Sequence, residues 1–392
     1  MPWGSAMDRR EEFVRLARAP GANVSELCRR FGVSRSNGYK WLGRYETEGR
    51  SGLTERSRRP GSSPAQTLAC VEQQVLAVRA EHPAWGGRKI RRVLQNQGLT
   101  DPPQASTITE ILRRHGRLDG PGAGERRDWV RFEHPEPNDL WQMDFKGHFA
   151  LSAGRCHPLT VLDDHSRYAL EIGACGDEQG GTVQARLEAV FKRYGLPRRI
   201  LADNGPPWGT AGSGQPHTPL TVWLLDLEIG IGHGRAYHPQ TQGKDERFHR
   251  TLKAEVLDGR RLETLDQAQA AFDRWREIYN AKRPHEALQM ATPSTRYRMS
   301  PRRWPTTIEP PNYEPATLVR YVQQGGWLSF KGRKINCPRA FAGRAVALRP
   351  TNTDGVFDLC YRSHLLNQID LRQNDAETVL DVPERLSSMS PV

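Results

Sequence analysis

The sequence predicts a multidomain chain: all-α helix-turn-helix modules first, an α/β core with a mixed sheet next, and a small C-terminal β-barrel last. Three observations predict this order. Apolar residues recur at helical spacing up to residue 118, strands and helices alternate from 138 to 298, and short β segments separated by Gly or Asp-Gly turns fill 316–372. At 392 residues the chain has room for about two to four domains.

Charge narrows the partners. The formal net charge is +12, and residues 1–127 hold 23 Lys and Arg against 13 Asp and Glu, so ten of the twelve excess charges lie in the first third. A local basic excess points to a polyanion, with nucleic acid leading; a basic protein without such a partner is the bland alternative. Cys28, Cys70, Cys156, Cys175, Cys337 and Cys360 are scattered with no C-x-x-C pair, which argues against a disulfide framework or a zinc knuckle. The sequence shows neither an apolar run of membrane-spanning length nor a signal-peptide core, so the chain reads as cytoplasmic, with no membrane partner. The opening MPWGSAM is compositionally atypical, and Met7 reads as the natural start.

In the first module, 8–50, Phe13, Leu16 and Ala17, then Leu27 and Phe31, then Trp41, Leu42 and Tyr45 form three inward stripes. In FGVSRSNGYKW, Gly32 allows a tight turn, Val33 plugs the core and Ser34 caps the last helix. Arg35, Ser36, Asn37 and Lys40 then decorate its exposed start, as in a recognition helix; a three-helix bundle that binds no DNA is the alternative. Residues 51–67 read as a basic linker whose Arg58 and Arg59 either track a minor groove or are solvated. A second helix-turn-helix is expected over 68–118, with Ile90, Val93 and Leu94 inward, Arg88 and Lys89 outward, Ser106 as a cap, and Thr107 and Arg113 on its last helix. Residues 119–137 are a further linker.

The core, 138–298, opens with a strand in LWQMDFKG and a hairpin in HPLTVLDDHSRYALEIGAC. A helix follows in TVQARLEAVFKRYG, a buried strand in RRILADNG, and three helices after that. Asp144 lies mid-strand between apolar neighbours. Asp203 closes a strand at its carboxyl end, where α/β folds build sites. Glu246 lies on the helix GKDERFHRTLK, with His249, Arg250 and Lys253 on the same face at i+3, i+4 and i+7. Each acid alone has a bland reading as a turn or surface residue. Together, three converging carboxylates are what hard divalent cations require, and the basic residues beside Glu246 suit a phosphate backbone. Asp163 and Asp164 read as turn-shaping residues, and Asp245 as a surface residue. A linker, 299–315, leads to the barrel, 316–372, and a disordered tail, 373–392.

Five segments, WQMDFKG, LTVLDDHSRY, YGLPRRILADNGPPW, HPQTQGKDERFHRTLKAE and YNAKRPHEALQMATP, in this order resemble the integrase-core DDE transposases of bacterial insertion sequences, in the branch with helix-turn-helix modules upstream. The resemblance is close from about residue 20 to 300 and loose over the barrel. It implies a ribonuclease H-like catalytic core. It also implies that Asp144, Asp203 and Glu246 are both catalytic and metal-binding, with two Mg²⁺ per site and Mn²⁺ as a substitute. The implied activity is binding of terminal inverted repeats, nicking of the 3′ transposon ends and their joining to target DNA. Arg35, Ser36, Asn37, Lys40, Arg58, Arg59, Arg88, Lys89, Thr107, Arg113, His249, Arg250 and Lys253 are the expected DNA contacts. The implied partners are double-stranded DNA, as ends and target, and further copies of the chain, as a dimer or higher assembly at the bacterial nucleoid. The barrel is expected to meet DNA or another subunit. An inactive DNA-binding regulator and a nuclease without strand transfer are the competing readings. Between Asp203 and Glu246 lie 42 residues, more than in retroviral integrases, and the Gly-rich stretch WGTAGSGQPHTPL accounts for the excess as a loop.

Overall fold

The computed structural model describes residues 5–56, 66–118, 133–209, 217–233, 243–372 and the backbone of 379–380. Two compact units, 1–67 and 68–392, divide the chain.

The first unit is a three-helix bundle of α1 (Ala6–Ala17), α2 (Val24–Phe31) and α3 (Arg35–Glu48). Phe13, Val14, Cys28, Phe31 and Leu53 form its buried centre, with Trp41, Leu42 and Tyr45 packed around them. Gly32 takes φ +65°, the left-handed conformation that ends α2, and the Ser34 hydroxyl accepts the Asn37 N–H at 3.2 Å to start α3. Gly38 is the point of closest approach: a Cβ there would lie 2.6 Å from Cys28 Sγ and 2.8 Å from Phe13 Cζ. Gly38→Ala is therefore expected to destabilise this unit by about 1–3 kcal/mol, the usual cost of overpacking, and thermal unfolding of the full chain would register it.

The second unit begins with α4 (Ala69–Glu81), α5 (Gly87–Asn96) and α6 (Ala105–Arg114), closed over Val75, Trp85, Ile90, Leu94, Ile108, Ile111 and Leu112. Ser106 does not cap α6. Gln104 occupies the cap position without a side-chain bond, because the helix starts one residue ahead of Ser106.

The central sheet contains β1 (Leu140–Phe145), β2 (Phe149–Ala150), β3 (Arg155–Asp163), β4 (Ala169–Cys175), β5 (Arg199–Ala202) and β6 (Gly230–His233). β4 and β2 pair with β3, which runs antiparallel to β1, whereas β1, β5 and β6 are parallel. This is the ribonuclease H-like arrangement. Alternation along β1 sends Trp141 and Met143 to one face, against α7 (Gly180–Tyr194) and α8 (Pro219–Asp226). Gln142 and Asp144 take the other face. There α9 (Gly243–Leu252) and α10 (Leu265–Glu277) pack Phe248, Leu252, Phe272 and Trp275 on β3 and β4. Both helices end in π-helical turns, Lys253–Leu257 and Ile278–Lys282.

The C-terminal region is all-β, but its sheet is open rather than a closed barrel. β7 (Leu318–Tyr321), β8 (Trp327–Phe330), β9 (Arg333–Asn336), β10 (Ala345–Pro350), β11 (Val356–Tyr361), β12 (His364–Asp370) and β13 (Val379–Leu380) follow in order. Five of them form a sheet, β13-β12-β11-β10-β7, and β8 and β9 form a separate hairpin. The hairpin supplies Leu328, Phe330 and Ile335 to the core that Val346, Leu348, Leu359 and Tyr361 supply from the sheet. Side-chain packing, not a continuous ladder, closes this core among the described residues. Helix α8 joins it to the catalytic region, since Val222 and Leu225 enter the C-terminal core while Leu220 and Leu224 enter the central one.

Candidate active site

Strand register brings the first two acids together. Gln142 pairs with Leu201 across the parallel β1 and β5, so two residues further along both strands stand Asp144 and Asp203, at neighbouring strand ends. Glu246 comes from the first turn of α9, which covers the same face. The Asp144 carboxyl is pushed up to about 7, first by burial and then by Asp203, with Glu178 and Glu246 adding to it. Asp203, Glu178 and Glu246 thus stand near enough to Asp144 for their charges to act on it, and Glu178 is an acid the sequence pattern gave no reason to select. Glu178 also pairs with His157 at 2.7 Å.

The carboxylates offer the hard oxygen donors that Mg²⁺ takes, and the raised Asp144 marks a place short of positive charge. Among the described residues, however, no three His, Cys, Asp or Glu groups are close enough together to hold a metal ion as they stand. The donor chemistry fits a divalent cation. Asp203 and Glu246 are both exposed, whereas Asp144 is half-buried.

His249, expected on the DNA-facing surface, instead reaches into this site. Thr160, the β3 residue opposite Asp144, donates its hydroxyl to the Asp144 carbonyl at 3.0 Å and lies 2.8 Å from His249 Nε2. Its proton being used, the hydroxyl accepts from Nε2–H, which leaves Nδ1 unprotonated, 4.0 Å from Asp144 Oδ2. Burial pushes His249 down to about 4, so the ring is neutral near pH 7.

Asp245 is not a surface residue. It is buried, and its Oδ1 has no hydrogen-bond partner. It shares the inward stripe with Phe248 and Leu252 at i+3 and i+7. Its carboxyl is raised well above the usual range by burial, with Asp144 and Asp164 adding to the rise. Asp163 and Asp164 shape the hairpin turn as expected: Asp163 accepts the N–H groups of Asn138 and Ser166 at 2.7 and 2.8 Å. Asp164 does more, accepting from Gln142 Nε2 at 2.6 Å, from the His134 N–H at 2.9 Å and from Lys244.

The remaining expected DNA contacts divide by position. Arg35, Ser36, Asn37 and Lys40 are all exposed on α3, and Tyr39, 58% exposed, stands beside them. Arg250 and Lys253 are exposed on and just beyond α9. Thr107 and Arg113 are exposed on α6, with Arg113 paired to Glu110. Arg88 is exposed, whereas Lys89 is half-buried. Arg88 pairs with Glu286 at 3.3 Å, and burial, with Arg283 nearby, pushes Lys89 down to about 8. Arg58 and Arg59 lie outside the described residues.

Comparison with known proteins finds matches to several segments of the chain. Two models described as integrase core domain match residues 134–239 and 227–293. The C-terminal domain of the IS481 family transposases matches 317–377, and a helix-turn-helix and a homeodomain-like model match 9–61 and 37–112. An uncharacterised 31.7 kDa protein of insertion element IS407 from Burkholderia multivorans is 28% identical over 234 residues, covering 57% of this chain and 80% of the relative. A 39.2 kDa protein of insertion element IS476 from Xanthomonas euvesicatoria is 26% identical over 217 residues, covering 55% and 57%. Among solved structures, the catalytic core domain of BIV integrase is 25% identical with a TM-score of 0.31, covering 40% of this chain and 92% of that one. Residues 134–293 of the chain thus match integrase core domains and 317–377 the IS481 transposase C-terminal domain, with helix-turn-helix domains ahead of the core and insertion-element proteins among the homologues.

Proposed function

We propose that the protein binds the terminal inverted repeats of its element, nicks the 3′ ends and joins them to target DNA, with Asp144, Asp203 and Glu246 as its catalytic, metal-holding acids. The observation that carries this reading is the strand register that sets Asp203 beside the half-buried Asp144, with Glu246 in the first turn of the helix that covers the same face. In the first step water attacks the phosphorus at the element's end and the 3′ oxygen leaves. In the second, the freed 3′-OH attacks a target phosphate and a target 3′ oxygen leaves. Two Mg²⁺ ions, when bound, activate the attacking oxygen and stabilise the leaving one. The chain's own part is to hold Asp144 and Asp203 at the ends of neighbouring strands, with Glu246 on α9 over the same face. Arg250 and Lys253 lie one and two turns along α9 from Glu246, where they face the phosphate backbone. The protein acts at the nucleoid in the bacterial cytoplasm, as a dimer or higher assembly that pairs two ends.

Recognition of the ends falls to Arg35, Ser36, Asn37 and Lys40, with Thr107 and Arg113 reading a second segment. Arg35→Ala or Asn37→Ala is expected to cost about 1–3 kcal/mol of preference for end sequence over random DNA. Competition binding at fixed salt checks it, and an unchanged ratio would remove α3 from end recognition.

The deciding experiment gives the protein Mg²⁺, a labelled end duplex with a pre-exposed 3′-OH, and supercoiled plasmid. Covalent transfer of label into plasmid is the expected result. Specific binding without transfer would indicate a regulator, and plasmid cutting without transfer a nuclease.

A further inference from the structure

We propose that Lys244 and Asp164 form a buried positioning pair that fixes the first turn of α9 and so sets where Glu246 stands relative to Asp144. The inference rests on the reading of Asp144, Asp203 and Glu246 as the metal-holding acids. Lys244 begins the basic segment GKDERFHRTLK, and its composition suggests a phosphate contact. The structure assigns it elsewhere. Its ammonium donates to Asp164 Oδ1, the Asp164 side chain is wholly buried, and only 16% of the Lys244 side chain is exposed. Reaching a phosphate would take Lys244 from a buried carboxylate whose other cation, Arg167, stands at 3.9 Å, a costly exchange.

What the pair connects gives it its role. Asp164 sits at the β3–β4 turn and also accepts from Gln142, which lies on β1 two residues before Asp144 and on the same face. Lys244 lies two residues before Glu246 on the same helical turn. The chain Gln142–Asp164–Lys244 therefore ties the strand of one acid to the turn of another. On the opposite flank of the inward stripe, His249 and Thr160 make a second tie, ending on the Asp144 carbonyl. Glu246 is exposed at the helix edge, so the placement of the helix backbone decides where its carboxylate stands.

The test uses the full chain with Lys244→Met, Lys244→Arg and the control Glu246→Gln. It measures end affinity across salt concentrations and strand transfer across Mg²⁺ concentrations. Lys244→Met is expected to bind ends within about twofold of the parent, yet need about tenfold more Mg²⁺ for half-maximal transfer. Lys244→Arg should recover most of that loss. If Lys244→Met fails to fold, Lys244→Met/Asp164→Asn removes both charges; a restored unfolding temperature with a Mg²⁺ requirement that stays raised supports positioning over a purely structural role. A normal Mg²⁺ requirement in Lys244→Met overturns the pair's role. So does weaker end binding with a shallower salt dependence at a normal Mg²⁺ requirement, which would make Lys244 a phosphate contact. Activity in Glu246→Gln would overturn the underlying assignment of the acids, separately from the behaviour of Lys244.

Discussion

Asp144→Asn and Glu246→Gln are each expected to reduce both end nicking and strand transfer by at least about a thousandfold, about 4 kcal/mol of transition-state stabilisation, while end affinity stays within a few-fold of the parent. The separation follows from position. Neither acid lies on α3 or α6, the exposed helices proposed to read the ends, so removing one carboxyl leaves those surfaces intact. Loss of activity through unfolding is testable apart from this, because the Asp144 carboxyl is already unfavourable when ionised in the metal-free protein. Asn keeps the shape and removes that charge. Asp144→Asn should therefore unfold at or above the temperature of the parent in the absence of metal at pH 8. Single-turnover assays with a pre-nicked end would check the joining step on its own. Retained transfer in Asp144→Asn would remove this acid from the chemistry.

Much of this site was legible in the sequence, for reasons visible in particular residues. Asp144 interrupts an apolar strand, and Asp203 ends one; the parallel register of β1 and β5 then makes them neighbours. The first helix-turn-helix was legible because Gly32 and Ser34 carry out their turn and cap locally. What escaped depended on residues far apart in sequence, or on patterns too short to read. The Lys244–Asp164 pair spans 80 residues, and no spacing rule anticipates it. β6, with Gly230 and Gly232 among its four residues, has no apolar run, and β9 is four residues of which only Ile335 is buried. Asp245 was legible in principle, because the i, i+3, i+7 stripe it shares with Phe248 and Leu252 points inward; its charge argued for the surface and packing overrode it. The C-terminal strands were countable from alternation and turns, but closure is a property of ladders, which composition does not encode.

The metal-free protein is expected to lose stability as pH rises from about 4 to about 7, and Mg²⁺ is expected to restore it. The sign follows from proton counting. In the unfolded chain Asp144 ionises near its ordinary value, about 3.9, whereas in the fold burial and Asp203 hold it up to about 7. Between these values the folded state binds a proton that the unfolded state has released, so stability falls by about 1.4 kcal/mol per pH unit and by about 4 kcal/mol across the window at most. Below the window both states are protonated, above it both are ionised, and the contribution is flat. Asp245, Asp163 and Glu171 are also raised, chiefly by burial, so the parent's slope is a sum. The difference between parent and Asp144→Asn isolates the Asp144 share. Because a divalent cation takes the ionised form, its affinity should weaken by up to about tenfold per pH unit below 7 and level off above it. Unfolding temperatures at pH 5, 6, 7 and 8, with and without Mg²⁺, test both halves together. A Mg²⁺ stabilisation that does not grow with pH, or one that persists in Asp144→Asn, would place the cation on other groups.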